Sequence, residues 1–316
     1  MRRYLSEHEP DSSGKRHLPN FAGAVTARNM RAFSFRFVLL FVLTIGCVGQ
    51  SRAASCVWRV SGPDGGTLYL GGSIHALRSV DYPLPPAFNR AFDASSRLVF
   101  EIDTKALSAS GKDLFKAGQY SGGDNLKNHV DPRTYAYLRR VFGLMNVPER
   151  KYAKYRPWFL VLLLTAPSLH GLSEDLGVEG FLAGRARANS KPVSGLETAR
   201  EHLEVFSGLS DRQSEAMLLL TFIPDASGGG GTSQMISAWR RGDVDTLTRQ
   251  TLDGFRDFPS LGDRLLGLRN RRWVPKIEGY LRSDQTYFVV PGAAHLGGAG
   301  GLLALLRARG CKIEQL

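Results

Sequence analysis

Hydrophobic residues at the two ends of the chain follow patterns typical of β-strands, whereas those in the middle follow a helical period. Residues 56–61 (CVWRVS) alternate, and the sequence PDGG at 63–66 separates them from residues 67–71 (TLYLG). This arrangement predicts a β-hairpin, because proline, aspartate and glycine favour tight turns between short strands. With the other short apolar runs, the predicted strands are 56–61, 67–71, 97–103, 191–196, 286–290 and 311–315.

The middle of the chain, roughly residues 105–282, is dominated by helical patterns. Asp131 precedes Pro132 and predicts a capped helix that runs to Met145. Residues 158–172 (WFLVLLLTAPSLHGL) are almost entirely apolar, but ~15 residues are too few to cross a bilayer, so we expect a buried helix. We therefore predict an α/β fold with a central mixed sheet built from both chain ends. The helical middle would form a lid or a second lobe.

The first 53 residues differ in character from the rest of the chain. Residues 1–29 are polar and carry no hydrophobic period, whereas residues 30–53 combine a basic start, an apolar stretch at 37–48 and small residues at the end. That combination is typical of a secretory signal peptide. We expect cleavage after Ala53 or Ala54. We also expect translation to begin at Met30, so that residues 1–29 are a non-native extension.

A protein exported in this way would consist of residues 54–316 and would be periplasmic or secreted. It would meet a membrane only through the cleaved signal peptide. Two alternatives remain open. One is an uncleaved anchor with a cytosolic tail. The other is a lipoprotein attached through Cys47, although Thr44 stands where lipoprotein signals carry leucine.

Composition and charge exclude several classes of protein. Hydrophobic residues make up 43% of the chain and charged residues 22%, values typical of a packed globular protein. The chain has 41 basic and 29 acidic residues, a formal charge of +12. Residues 1–53 hold 8 of the basic and 3 of the acidic residues, which leaves +7 for the remainder. No run of lysine and arginine accompanies this mild excess, so we expect no nucleic-acid partner.

Two cysteines lie beyond the predicted signal peptide, Cys56 in the first predicted strand and Cys311 in the last. Exported proteins commonly oxidise such residues, and we therefore expect one disulfide that joins the two chain ends. Two buried free thiols are the alternative.

Histidines occupy matching positions in the two halves of the predicted sheet. Gly72-Ser73-Ile74-His75 and Gly292-Ala293-Ala294-His295 both follow a strand in a Gly-x-x-His pattern, and only five histidines lie beyond residue 53. Histidines at the carboxyl edge of a sheet lie where α/β proteins bind ligands, and neutral imidazole binds zinc, manganese or cobalt. Together with Glu101 at the end of a third strand, His75 and His295 favour a metal site over two structural histidines.

Several segments together resemble the TraB/PrgY/GumN family. The resemblance covers about residues 56–316, essentially the whole chain after the predicted signal peptide. Its motifs are specific jointly, although none is specific alone. They are Leu70–Leu77, Asp81–Pro85, Leu98–Asp103, Pro192–Thr198, Arg269-Asn270 with Trp273, and Val290–Leu296.

The resemblance implies a metal-dependent activity, because the family includes the Tiki proteins, which are metal-dependent proteases. It is related more distantly to erythromycin esterases and to the haem-binding ChaN fold. By position, His75 and His295 are metal ligands, and Glu101 is the third ligand or the base. Two histidines and a carboxylate leave a coordination position open for water, as a catalytic metal requires. Manganese, cobalt and zinc are the candidate ions.

The same resemblance implies three catalytic residues. Glu197, which follows a short strand, is the general-base candidate; its alternative role is that of an acidic residue at a helix N-terminus. Arg269 would contact a substrate carboxylate or a developing oxyanion, or else form a structural salt bridge. Asn270 would support Arg269. The family often has glutamine shortly after the Leu-Glu motif, whereas Glu201-His202 stands there in this chain.

With both histidines and Glu101 present, the resemblance implies a metal-dependent hydrolase that acts on a peptide or amide bond of a peptide or protein substrate. Gly-x-Ser-x-Gly and His-Glu-x-x-His are both absent from the sequence, which argues against a serine hydrolase and a zincin. Two alternatives need no catalysis. One is a periplasmic protein that binds a peptide or haem. The other is an interaction protein of envelope or polysaccharide assembly.

Overall fold

The computed structural model describes residues 54–165, 173, 176–222 and 231–316. The predicted signal peptide lies outside the described residues, as do residues 166–172 of the apolar segment that we expected to form one buried helix. Across the described part of the chain, no helix combines the length and the apolar character needed to cross a membrane.

Six strands form one mixed sheet in the order β4-β3-β5-β2-β1-β6, which confirms the predicted α/β fold. The central strands are buried along almost their whole length, because helices cover both faces of the sheet. The strands are β1 (Val57–Ser61), β2 (Thr67–Gly71), β3 (Arg97–Ile102), β4 (Val193–Glu197), β5 (Tyr287–Val290) and β6 (Lys312–Gln315).

Strand direction determines which chain segments meet at each edge of the sheet. β2 and β3 both run parallel to β5, and β4 runs parallel to β3. The carboxyl ends of these four strands therefore lie at one edge. β1 is antiparallel to both of its neighbours, β2 and β6. The residues that follow β2 and β5 and those that end β3 and β4 are thus neighbours, although they lie far apart in sequence.

The predicted disulfide is wrong: Cys56 and Cys311 are both buried free thiols. The register of β1 and β6 explains why. Trp58 pairs with Gln315 and Ser61 pairs with Lys312, so the strands are antiparallel and the two cysteines lie beyond opposite ends of the ladder. Six strand positions at ~3.4 Å each separate them by roughly 20 Å, and a disulfide needs Cα atoms within about 7 Å.

Helices fill the two long connections of the sheet. The capped helix predicted after Asp131 is present, and the Asp131 side chain accepts a hydrogen bond from the Arg133 amide. The helices are α1 (Pro86–Ala94), α2 (Thr104–Ala109), α3 (Gly111–Ala117), α4 (Pro132–Leu144), α5 (Glu149–Tyr152), α6 (Pro157–Leu164), α7 (Val178–Ala188), α8 (Ala199–Ser207), α9 (Asp211–Leu220), α10 (Gly231–Arg240), α11 (Val244–Asp253), α12 (Pro259–Gly262), α13 (Leu268–Leu281) and α14 (Leu302–Ala308).

The described residues form two hydrophobic clusters. The larger cluster packs both faces of the sheet against helices such as α1, α7 and α13. The smaller cluster contains no residue of the sheet, and it includes Leu138 of α4, Leu160 of α6 and Leu218 of α9. Part of the helical middle therefore has a core of its own, which we call the helical lobe.

Candidate functional site

The common edge of the four parallel strands brings the predicted site residues together. His75 and His295 follow β2 and β5, and Glu101 and Glu197 lie at the ends of β3 and β4. Arg269, with Asn270 beside it, lies in the first turn of α13.

The two Gly-x-x-His segments pair directly with each other. Ser73 forms a parallel bridge with Gly292. The Ser73 amide donates to the Pro291 carbonyl at 2.8 Å, and the Ala293 amide donates to the Ser73 carbonyl at 2.9 Å. Because backbone hydrogen bonds fix the two loops relative to each other, they also fix the backbone positions of the two histidines.

Glu101 is buried at the centre of the site. Its Oε1 accepts a hydrogen bond from the Gly292 amide at 2.7 Å and lies 3.6 Å from His295 Nε2, while its Oε2 accepts from Arg269 Nη2 at 2.5 Å. Burial opposes ionisation, but Arg269 and the two histidines outweigh it and hold the pKa of Glu101 well below its usual range. Glu101 is therefore an anion that presents Oε1 to the histidine side of the site.

Arg269 also binds Glu197 with two hydrogen bonds. Arg269 Nε donates to Glu197 Oε2 at 3.1 Å, and Nη2 donates to Oε1 at 2.6 Å. His202 Nδ1 lies 2.7 Å from the same Oε1. Burial opposes ionisation of Glu197, but the bonds from His202 and Arg269 prevail and lower its pKa. His202, which stands near the position where the family often has glutamine, therefore contacts the predicted general base.

Asn270 determines how the ring of His295 is oriented. Its Nδ2 donates to the carbonyl oxygens of His295 and Gly300 at 3.2 and 2.9 Å. Its Oδ1 therefore faces His295 Nδ1 at 2.7 Å and must accept a hydrogen bond from the Nδ1–H group. Burial lowers the pKa of His295 to about 4, so the ring is neutral at pH 7 and carries its lone pair on Nε2. Arg269 Nη1 lies 3.2 Å from that nitrogen.

Glu179 holds the ring of His75, a partnership that the sequence did not reveal. His75 Nδ1 lies 2.8 Å from Glu179 Oε1, and the His75 side chain is 71% exposed. Glu179 raises the pKa of His75 to about 10, so a metal ion at this ring competes with a proton. The only sequence signal for Glu179 was an acidic residue in the first turn of α7.

Gly292 leaves open the space on which the predicted ligands converge. A Cβ atom at this position would lie 3.0 Å from Glu101 Oε1, 3.9 Å from His75 Nε2 and 3.7 Å from His295 Cδ2. Both Nδ1 atoms are already bonded to protein groups, so each ring would bind a ligand through Nε2, and at His295 the ligand would replace the Arg269 contact. Two imidazoles and a carboxylate are a donor set for a catalytic divalent metal. The residue types therefore match those of the metal site that the sequence predicted, and a metal bound here would draw their donor atoms closer together.

A second group of donors lies beside the first. One ligand atom each of Glu101, Glu197 and His202 lie within 4.8 Å of one another. The guanidinium of Arg269, however, already binds both carboxylates. The same guanidinium also lies 3.2 Å from His295 Nε2, so a metal ion at either group of donors would have to share the site with this cation or displace it.

The start of α13 aims Arg269 and Asn270 into the site. A π-helical turn, Asp263–Gly267, precedes α13, and such turns widen the helix and redirect the side chains that follow. Trp273, one turn further on, packs 4.5 Å from the His295 ring and lies under the Arg269 guanidinium at 4.6 Å. Trp273, which belongs to the same family motif as Arg269 and Asn270, thus packs against two site residues.

Comparison with known proteins shows which family the chain belongs to. The profile of the TraB/PrgY/gumN family matches residues 56–315. The chain belongs to this family. It is 24% identical over 329 residues to the zebrafish (Danio rerio) protein named metalloprotease TIKI2, an alignment that covers 84% of this chain but only 62% of the zebrafish protein. It is also 24% identical over 241 residues to the uncharacterized protein YbaP of Escherichia coli, covering 76% and 87% of the two chains. No solved structure matches the chain.

Proposed function

We propose that this protein is a metal-dependent hydrolase of the Tiki-like type that acts on a peptide or amide bond. The observation that carries the proposal is the convergence of His75, Glu101 and His295 on the space beside Gly292. The similarity to a protein named as a metalloprotease supports the same activity. The chain spans less than two thirds of the length of that relative.

The protein groups around the metal position have distinct tasks. A divalent metal bound there would polarise a carbonyl group and acidify a water molecule. Arg269 is fixed by Glu101 and Glu197, so its charge is already in place to stabilise negative charge that develops on the substrate carbonyl oxygen. Because Arg269 needs no reorganisation, that stabilisation is available at the moment of reaction.

Glu197 is the proton acceptor in this proposal. Its pKa lies below the usual range, so it is ionised at neutral pH and can accept a proton from water. His202, whose side chain is 25% exposed, is bonded to Glu197 Oε1 and connects the buried carboxylate with solvent. Asn270 serves the site by fixing the ring of His295.

We also propose that the protein acts outside the cytoplasm, in the periplasm or as a secreted protein. This part rests on the sequence of residues 30–53 alone. N-terminal sequencing of the protein recovered from periplasmic fractions tests it, because a mature start at residue 54 or 55 is expected.

A cleavage screen tests the activity. The purified protein, loaded in turn with manganese, cobalt and zinc, is incubated with a peptide library and the products are identified by mass spectrometry. We expect cleavage that chelator abolishes and that His75→Ala and His295→Ala both lose. His129→Ala, which changes a histidine of the helical lobe, is the matched control and should retain activity. Metal binding without cleavage of any peptide would contradict the hydrolase and favour a binding protein.

A further inference from the structure

One carboxylate, Glu179, binds both ends of the Gly-x-x-His loop that carries His75. Its Oε1 accepts a hydrogen bond from Ser73 Oγ at 2.5 Å and lies 2.8 Å from His75 Nδ1. Ser73 is itself 3% exposed and forms the backbone bridge to Gly292. The carboxylate therefore connects the histidine to the most firmly held residue of its own loop.

The N-terminus of α7 docks on this loop. The Val178 amide donates to the Ile74 carbonyl at 3.0 Å, and Leu77 and Ser173 exchange two backbone hydrogen bonds on the far side. Glu179, in the first turn of α7, is consequently placed by main-chain contacts rather than by its own flexible side chain. The positive end of the helix dipole also favours an anion at this position.

Burial of the Glu179 carboxylate carries a free-energy cost. Its side chain is 17% exposed, and its Oε2 is buried with no hydrogen-bond partner among the residues that the structure describes. A buried carboxylate with an unsatisfied oxygen destabilises a fold unless its charge is used. The negative charge of Glu179 is used in its interactions with Ser73 and His75.

The two histidines are held in the same way from different helices. Glu179 at the start of α7 binds Nδ1 of His75, and Asn270 at the start of α13 binds Nδ1 of His295. In both cases Nε2 is the ring nitrogen that the orienting residue does not contact. His75 differs in that its side chain is 71% exposed, so packing alone cannot fix its ring.

We propose that Glu179, anchored by Ser73, is the positioning residue that fixes the exposed ring of His75 with Nε2 directed toward the metal position. This inference rests on the metal site proposed above, but the orientation of the ring is a property of the protein alone. Partners that orient a ligating histidine typically change metal affinity 10- to 100-fold when they are removed.

The experiment uses the purified protein and two readouts. Calorimetric titration with manganese, cobalt and zinc gives the metal affinity. Carbon-13 relaxation of the His75 ring in chelator-treated protein gives the order of the ring without any metal. Glu179→Met removes the acceptor and keeps the side-chain length, whereas Glu179→Gln keeps an acceptor oxygen. Glu278→Met is the matched control, because Glu278 is 19% exposed and pairs with Arg309 instead.

We expect Glu179→Met to bind metal about 10- to 100-fold more weakly and to lose order in the His75 ring. Glu179→Gln should keep the ring order and lose less affinity, and Glu278→Met should match the wild type in both readouts. Wild-type ring order and wild-type affinity in Glu179→Met would overturn the inference while leaving the metal site intact.

Failure of the metal site is distinguishable from failure of this inference. If the wild-type protein binds no metal, the proposed hydrolase is wrong, but the relaxation measurement still decides whether Glu179 orders the ring. If Glu179→Met does not fold, Ser73→Ala decides by the same readouts, because it removes the anchor of Glu179. A loss of ring order in that variant supports the inference, and an unchanged ring overturns it.

Discussion

Arg269 binds both carboxylate oxygens of Glu197, with Nε 3.1 Å from Oε2 and Nη2 2.6 Å from Oε1. Both side chains are more than nine-tenths buried. The same Nη2 also binds Glu101 Oε2, so one guanidinium serves two buried carboxylates from neighbouring strands. Planar, two-pronged pairing of this kind is specific to arginine.

The first prediction concerns the stability that this cation provides. Arg269→Met leaves Glu101 and Glu197 buried without their shared partner, and removal of one partner from a buried pair costs about 3–5 kcal/mol. We expect the free energy of unfolding at pH 7, measured by urea denaturation, to fall by that amount. Arg271→Met is the control. Its partner Asp263 is half-exposed, and the loss should stay below about 1 kcal/mol.

The difference in the free energy of unfolding between Arg269→Met and the wild type depends on pH because of the carboxyl pKa values. Glu101 and Glu197 have lowered pKa values in the folded wild type, so their ionisation stabilises the fold above the unfolded value of about 4.3 and this contribution is lost as the pH falls through the folded values. Without Arg269, burial raises both pKa values. The difference in stability between Arg269→Met and wild type should therefore narrow in acid. A difference that stayed constant from neutral pH to about pH 3 would contradict the ion pair.

The second prediction uses the open space beside Gly292. Gly292→Ala places a methyl group 3.0 Å from Glu101 Oε1, between the predicted ligands. Its φ of −53° suits alanine, so we expect the unfolding midpoint to change little while metal affinity falls at least about tenfold. Gly300→Ala is the matched control, because its Cβ meets nothing within 4 Å. Equal metal affinity in the two variants would argue against the assigned position.

The third prediction concerns a histidine in the helical lobe. His129 Nε2 lies 2.7 Å from Asp124 Oδ2, and Nδ1 lies 2.9 Å from Asp211 Oδ2. Only the protonated ring can donate to both carboxylates, and Asp124 and then Asp211 raise the pKa of His129. Because the pKa of His129 is higher in the folded protein, the protonated ring stabilises the fold at pH values below the unfolded pKa of about 6.5. This stabilisation is lost as the pH rises through the folded pKa.

We therefore expect the wild-type free energy of unfolding to fall by less than about 1 kcal/mol as the pH rises past neutrality. His129→Phe keeps a ring to stack on Tyr120, which lies 4.3 Å away, but cannot titrate. Paired urea denaturation from about pH 5.5 to 8.5 isolates the contribution of His129. Parallel pH profiles for the two proteins would show that the double ion pair does not form.

The fourth prediction concerns the cysteines. Burial raises the pKa values of both Cys56 and Cys311, so both should react slowly with iodoacetamide in the folded protein. After denaturation without reductant, each should take up one alkyl group, which peptide mass spectrometry detects. A peptide pair linked through these two residues would contradict the strand register.

Sequence patterns predicted the parts of the fold and site that depend on local order. The strands, the two Gly-x-x-His loops and the acidic residues at strand ends each follow from a few neighbouring residues. Parallel pairing then made His75, Glu101 and His295 neighbours. These expectations required only that the strands share one sheet with a common carboxyl edge.

Contacts that depend on register or docking could not be predicted in this way. The pairing of β1 with β6 decides that Cys56 and Cys311 lie far apart, and nothing in either segment specifies that register. Glu179 reaches His75 only because α7 docks on a loop about 100 residues earlier in the chain. His202 had a weak signal, because a residue one turn into a helix can reach back to the strand end that precedes it.

The most direct test of the account is the metal content of the protein. Purified wild type, His75→Ala, His295→Ala and His202→Gln are dialysed against manganese, cobalt or zinc, and the bound metal is measured by inductively coupled plasma mass spectrometry. We predict about one equivalent of bound metal in the wild type and in His202→Gln, and none in folded His75→Ala or His295→Ala. No metal in the wild type under any loading condition, or metal lost only in His202→Gln, would contradict it.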